Sequence, residues 1–158
     1  SKKRLLDASD PFLKAVGIAD SNGSIKPSKM DKYKQVEEFL RLLVPTLNDA
    51  IAAGHIDTPT DEKPLQVVDL GCGHAYLTFA AHQYLKSVGI PVNVVGIDIR
   101  PESRDRNNAI AKSLGIENSI SFLAEEIGST SQAEADAALL KIQTQENKDA
   151  WILLLEKK

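Results

Sequence analysis

Residues 67–76 read Val67-Val68-Asp69-Leu70-Gly71-Cys72-Gly73-His74-Ala75-Tyr76. A β-branched apolar run enters a Gly-x-Gly turn, and helix-forming residues follow from Tyr76. Glycines suit such a turn because the chain bends tightly and a ligand can approach the backbone where no Cβ intervenes. The helix behind the turn offers unsatisfied N–H groups and a partial positive charge. Working outward, the strand starts at Leu65 and the helix runs from Tyr76 to Val88, ended by Gly89. A second strand, Val92 to Ile97, leads to a helix from Pro101 to about Leu114, and Ile120 to Leu123 reads as a third strand. This alternation predicts an α/β fold with a Rossmann-like parallel sheet buried on both faces. Ser131 to Gln143 reads as a helix, and Trp151 to Leu155 as either a fourth strand or a terminal helix. Three to four strands are therefore present.

Residues 1–64 form a separate front piece: an N-terminal arm, helices and a linker ahead of the sheet domain at 65–158. Within a loosely structured arm, Pro11 to Val16 suits a short helix capped by Asp10, and Ser21-Asn22-Gly23-Ser24 is a turn signal. Asp31 to Val44 is amphipathic, with Tyr33, Val36, Leu40 and Leu43 at spacings of three and four. Pro45 is expected to open a second short helix to Ala53, and a polar linker follows from His55 to Lys63.

Composition narrows the function. The chain has 158 residues, 42% hydrophobic and 26% charged, which excludes a collagenous or wholly disordered protein. Its one cysteine excludes an internal disulfide framework and a multi-cysteine zinc site. Three scattered histidines make no metal site; His55 reads as a loop residue and His82 as a helix-surface residue. The formal charge of −3 demands no anionic partner. Apolar runs are too short for a secretory signal or a membrane span, so a cytoplasmic protein with no membrane partner is expected. Lys26, Lys29, Lys32 and Lys34 form the basic cluster, suited to an RNA phosphate or, through Lys32, to a small carboxylate.

Two ligands compete for the glycine turn. A dinucleotide wants Gly-x-Gly-x-x-Gly, but Tyr76 stands in the third glycine position. S-adenosyl-L-methionine (SAM) carries an ammonium, a carboxylate, a sulfonium and two ribose hydroxyls, and suits a site with a carboxylate just before the glycines. Asp69 stands there. Asp69, Gly71 and Gly73 would hold the methionine end. Asp98, ending the second strand, would accept the ribose hydroxyls or cap the next helix. Ile99 would pack on adenine and Glu126, preferred over Glu125, would take its amino group. Cys72 joins the cofactor-binding set as a small filler of the turn, not as a nucleophile.

Asp69-Leu70-Gly71-Cys72-Gly73 and Gly96-Ile97-Asp98 resemble the first two motifs of class I SAM-dependent methyltransferases. More narrowly, Asp31 to Val36 with Val68 to Ala80 is similar to a methyltransferase-domain family. Its members include bacterial proteins and part of a eukaryotic protein named for a glutathione-transferase-like domain. The resemblance covers roughly Asp10 to Ile127, and adds Lys32 and Tyr33 to the cofactor-binding residues, with the front piece as a lid. His74-Ala75 replaces the usual Lys-Gly of the family. It implies methyl transfer to an acceptor, RNA among the candidates. Such transfer is largely a matter of in-line positioning, so no catalytic base is named. The later family segments have no counterpart here, so the C-terminal strands are expected to be missing and the chain to be the cofactor-binding half. The rival functions are an inactive SAM-binding or interaction module and a nucleotide-binding oxidoreductase. An open sheet edge would favour a homo-oligomer.

Overall fold

β1 (Leu65–Leu70) buries Leu65, Val67, Asp69 and Leu70, the pattern of a strand covered on both faces. In the computed structural model, which describes residues 3–125 and the backbone of 151–155, it lies inside a four-stranded sheet. β2 (Val92–Asp98) and β3 (Ile120–Ala124) follow on one flank, and β4 (Trp151–Leu155) lies on the other. The order is β3-β2-β1-β4 and every pairing is parallel. The fold is Rossmann-like. Residues 151–155, open to two readings from sequence, form a strand in register with 66–70. The expected helix at 131–143 and Glu126 lie outside the described residues.

Strand order reverses at β1: β2 and β3 step away in one direction, and β4 sits on the opposite side. Such a switch point opens a crevice at the carboxyl ends of the strands, where the Gly71–Gly73 turn leaves β1. α3 (Tyr76–Ser87) joins β1 to β2, and α4 (Pro101–Ser113) joins β2 to β3. Gly96 lets these layers close. A Cβ there would stand 2.6 and 2.7 Å from Phe122 ring carbons and 3.1 Å from Cys72 Sγ. The Phe122 ring crosses β2 through this gap and packs on Phe79 of α3, with ring centroids 5.3 Å apart. On the outer edge of β3, the Asn108 amide takes both backbone groups of Phe122, at 3.1 and 3.0 Å. This blunts the edge for strand pairing.

The front piece differs from expectation in two respects. Its first residues are packed, not loose: Leu6, Phe12, Leu13, Ile18 and Ala19 are buried and join one apolar core with α2, α3 and the sheet. α1 (Pro11–Ala15) is capped by Asp10, whose side chain accepts from the Phe12 N–H at 3.1 Å. The second difference concerns Pro45, which starts no new helix but lies inside one continuous α2 (Met30–Ala52). An internal proline costs about 3 kcal/mol by removing one helical donor. Pro45 is exposed, so solvent can serve the orphaned carbonyl. Leu40, Leu43 and Leu47 are buried on the other face, at about 1.5–3 kcal/mol each, and outweigh that loss.

His82 is also placed differently. It is fully buried, because α3 is covered by α2 on one side and by the sheet on the other. Its Nε2 lies 2.7 Å from Ser119 Oγ and its Nδ1 2.8 Å from Gln83 Nε2, so both ring nitrogens are satisfied. Burial first, then the nearby Lys86 charge, depress its pKa to about 4. Among the described residues no helix is long and apolar enough to cross a membrane.

Two outcomes are expected. Gly96→Ala should lower unfolding free energy by about 1–3 kcal/mol through overpacking, and by less in a Phe122→Leu background. Denaturant midpoints of the two single variants and the double variant measure this; equal losses in both backgrounds would refute the ring contact. For His82, the unfolded ring binds a proton near pH 6.5 while the folded ring resists it down to about 4. Its contribution is therefore complete above pH 6.5 and shrinks as pH falls towards 4, by about 3 kcal/mol at most. Denaturation at pH 7 and at pH 4.5 should show a smaller loss in His82→Gln than in the wild type.

Candidate functional site

The turn after β1 is held by the end of β2. Ile97 O accepts from the Gly71 and Cys72 N–H groups at 2.8 and 3.1 Å. One residue on, Asp98 Oδ2 accepts from the Gly73 N–H at 2.9 Å. Register brings this about, since Leu70 lies beside Ile97 and the two chains leave the sheet together. Gly71, Gly73 and Ala75 take positive φ of 76°, 54° and 61°. A Cβ on Gly73 would reach only Arg100 Nη2, at 3.6 Å, so its backbone conformation and not space requires glycine. Ala75 adopts a left-handed conformation that costs an L-residue about 1–2 kcal/mol. It is held there by complete burial and by its N–H bond to Cys72 O at 2.8 Å. The Gly73 carbonyl accepts from Asn107 Nδ2 at 3.0 Å and Arg106 Nη2 at 3.2 Å, both on α4. Asn107 Oδ1 is buried with no hydrogen-bond partner among the described residues.

The two aspartates differ. Asp69 is completely buried, and its Oδ2 accepts the Thr78 hydroxyl of α3 at 2.6 Å, tying β1 to the helix behind the turn. Asp98 is 1% exposed and accepts the Arg100 N–H and Nε, each at 3.0 Å, besides the Gly73 N–H. Burial alone would raise the Asp98 pKa. Hydrogen bonds from the Arg100 side chain, the Arg100 N–H and the Gly73 N–H, with the guanidinium charge, outweigh it and hold Asp98 at about 2. It is a fixed anion at neutral pH.

Around the turn the charge is positive. Lys29 and Lys32 place their ammonium groups 5.8 and 5.6 Å from the centre of the Tyr76 ring. His74 stacks on the same ring, 5.7 Å between centroids. The His74 pKa is lowered by burial first, then by the charges of Arg106, Lys29, Arg100 and Lys32. The shift favours the neutral ring.

Gly71, Cys72, Gly73 and Asp98 are thus brought together, with Asp69 beneath them. Ile99 stands just past the β2 end, 54% exposed for so apolar a side chain. Lys32 reaches Tyr76 at the start of α3. Tyr33 makes its contacts elsewhere: its hydroxyl donates to Leu6 O at 2.9 Å and Arg4 lies over its ring. Beside it, Glu37 accepts the Leu5 and Leu6 N–H groups, so this face of α2 grips the N-terminal arm. Glu125 contributes only its N–H, to Asp98 O at 3.0 Å. Sequence reasoning did not single out Lys29 individually, nor Thr78, Arg100, Arg106 or Asn107. A signal existed for α4: Ser103, Asn107 and Ala111 form its buried stripe, and a helix that buries polar groups needs a polar surface to meet. A cavity of about 620 Å³ lies at the opposite ends of the strands, lined by Pro64, His82, Lys86 and Ser119, and shares no residue with this turn.

A family model described as a methyltransferase domain matches residues 31–154. No curated protein matches the chain. Among solved structures, the MccD protein is 26% identical, with 49% of this chain and 29% of that chain covered and a TM-score of 0.31. A putative sarcosine dimethylglycine methyltransferase from Galdieria sulphuraria is 20% identical over 77% of this chain and 41% of that one, with a TM-score of 0.42. Geranyl diphosphate C-methyltransferase from Streptomyces coelicolor is 19% identical over 70% and 36%, with a TM-score of 0.37. The chain spans less than half the length of each of these structures. Since the family match runs from the start of α2 into β4, well over half of the residues, the chain belongs to the methyltransferase-domain family.

Proposed function

We propose that this domain binds SAM and directs its methyl group to an acceptor. The observation that carries the proposal is the Gly71–Gly73 turn tied to the Asp98 carboxylate at the carboxyl edge of the sheet, beside the switch point. The residues present fit the cofactor. The Gly73 conformation keeps a side chain off the turn, and Asp98 is an ionised acceptor suited to ribose hydroxyls. Ile99 offers exposed apolar surface for adenine. Lys32 is the cation suited to the methionine carboxylate, and the buried Asn107 Oδ1 is an acceptor beside the turn. When bound, SAM supplies an electrophilic methyl group on a sulfonium.

The protein's own part is orientation and charge. Asp98 exchanges the Arg100 guanidinium for ribose hydroxyls and keeps the Gly73 N–H, so the turn stays fixed while the cofactor enters. Ile97 O and the Gly73 carbonyl contacts hold the backbone on either side. Cys72 is buried at 4% exposure and packs against Gly96, and in-line methyl transfer by positioning needs no covalent enzyme intermediate. A dinucleotide reading is disfavoured because Tyr76 occupies the third glycine position. The acceptor we assign is RNA, supported by the basic stretch from Lys26 to Lys34. A single cysteine and no long apolar helix among the described residues suit the cytoplasm.

Calorimetry with SAM, its demethylated product and NAD tests the cofactor. SAM and its product should bind and NAD should not; tighter NAD binding would overturn the proposal. Asp98→Asn should weaken SAM binding by about 10–100-fold, the loss of hydrogen bonds to a charged acceptor. Unchanged affinity in a folded variant would remove the ribose assignment. Incorporation of labelled methyl groups into RNA measures transfer, and binding without transfer would identify an inactive SAM-binding module.

A further inference from the structure

The chain as a whole is acidic, at −3, yet four cations from separate elements converge on the glycine turn. Lys29 ends the short 3₁₀ turn Pro27–Lys29, Lys32 lies in the first turn of α2, Arg100 follows β2, and Arg106 is on α4. Lys29 and Lys32 lie over the Tyr76 ring, Arg106 Nη2 donates to the Gly73 carbonyl at 3.2 Å, and Arg100 Nη2 stands 3.6 Å from where a Cβ on Gly73 would be. His74, Lys32, Arg100 and Arg106 are exposed and Lys29 is partly so. Segregation of this kind in a net-negative chain creates a local positive field that attracts anions.

Counting charges shows what the field is for. Without cofactor Asp98 pairs with Arg100 at 3.0 Å, and exchange of that guanidinium for ribose hydroxyls would add Arg100 to the uncompensated cations. The single carboxylate of SAM would match one cation, Lys32 in the assignment above. SAM also brings an ammonium and a sulfonium, so its binding leaves the site more positive than before. Lys29 and Arg106 are left without a compensating carboxylate among the contacts of the described residues. The Lys29 ammonium lies over the Tyr76 ring, which stacks on His74, and Arg106 Nη2 donates to the carbonyl of neighbouring Gly73. A cationic acceptor here would add repulsion to a site already carrying excess positive charge, and a neutral one would leave that charge uncompensated. An acceptor bearing phosphate removes it.

We infer that Lys29 and Arg106, with Lys32 and Arg100 behind them, form a rim that receives the phosphate of a nucleotide acceptor. The inference rests on the methyl-transfer reading for calling that ligand the acceptor, and it extends the basic surface beyond the lysine cluster to α4. The shared chemistry is a nucleoside phosphate, supplied either by a free mononucleotide or by a unit within an RNA strand.

The test uses the full chain, a single-stranded RNA oligonucleotide, AMP and adenosine, with fluorescence anisotropy or calorimetry across a salt series. SAM affinity is measured alongside, so loss of the cofactor reading is seen separately. RNA should bind with an affinity that falls as salt rises. The Lys29→Gln, Arg106→Gln double variant should bind about tenfold more weakly and flatten the log–log salt slope by about 1.4, two contacts at about 0.7 each. Lys29→Arg should keep wild-type binding, and Lys29→Gln should leave SAM affinity unchanged. AMP binding without RNA binding, lost in the double variant, would uphold the rim and identify a free nucleotide as its ligand. RNA and AMP both failing to bind a chain that binds SAM, or binding that the folded double variant retains in full, would overturn the inference.

Discussion

Two consecutive residues at the end of β2 hold the whole functional edge in place. Ile97 takes the Gly71 and Cys72 N–H groups on its carbonyl, and Asp98 takes the Gly73 N–H on its carboxylate. A left-handed turn between strand and helix exposes several backbone donors, and each left unpaired in a buried setting would cost about 1–3 kcal/mol. These bonds remove that cost for three successive residues. They also make the two loops one unit, because displacement of either strand end breaks bonds in the other. Asp98 remains ionised in the process, held by Arg100 against the burial that would protonate it.

The same unit depends on close packing below it. Cys72 within the turn and Phe122 on β3 both approach Gly96, the position on β2 where no side chain stands. Phe122 reaches Phe79 across that gap, so the core under the turn is shared by β2, β3 and α3. Asp69 adds a polar tie from β1 to Thr78 of α3. From the other side, the front helices cover α3 and carry Lys29 and Lys32 to Tyr76. The N-terminal residues serve this arrangement through Glu37 and Tyr33, which pin the arm to α2. The lysines are therefore placed by a packed scaffold, not by a loose arm.

Much of the site was legible because it is local. The end of the strand, the two glycines and the start of the following helix lie within ten residues, and short-range preferences specify such a turn. Asp98 was legible too, as an acid at a strand end. Several of the less legible residues have partners that are distant in sequence. Arg106 and Asn107 lie 33 and 34 positions from Gly73, and Ser119 lies 37 from His82. Nothing in a window of one helix reveals such a partner. Pro45 misled for a related reason, since its local preference for a helix start was overridden by the leucines buried on the opposite face.

The sequence by itself determined the class of sheet, the turn and the strand-end acid, because hydrophobic period, glycine and short polar signals act over a few residues. Residues 151–155 show its limit. Five apolar residues fit a strand or a helix equally well, and the choice fell to the open flank of β1, where their backbone groups found partners. The cationic rim was also beyond it. Lys29, Lys32, Arg100 and Arg106 meet only when α2 lies over α3 and α4 folds back against the turn. Charge adds up by distance in space, and only the tertiary structure sets that distance.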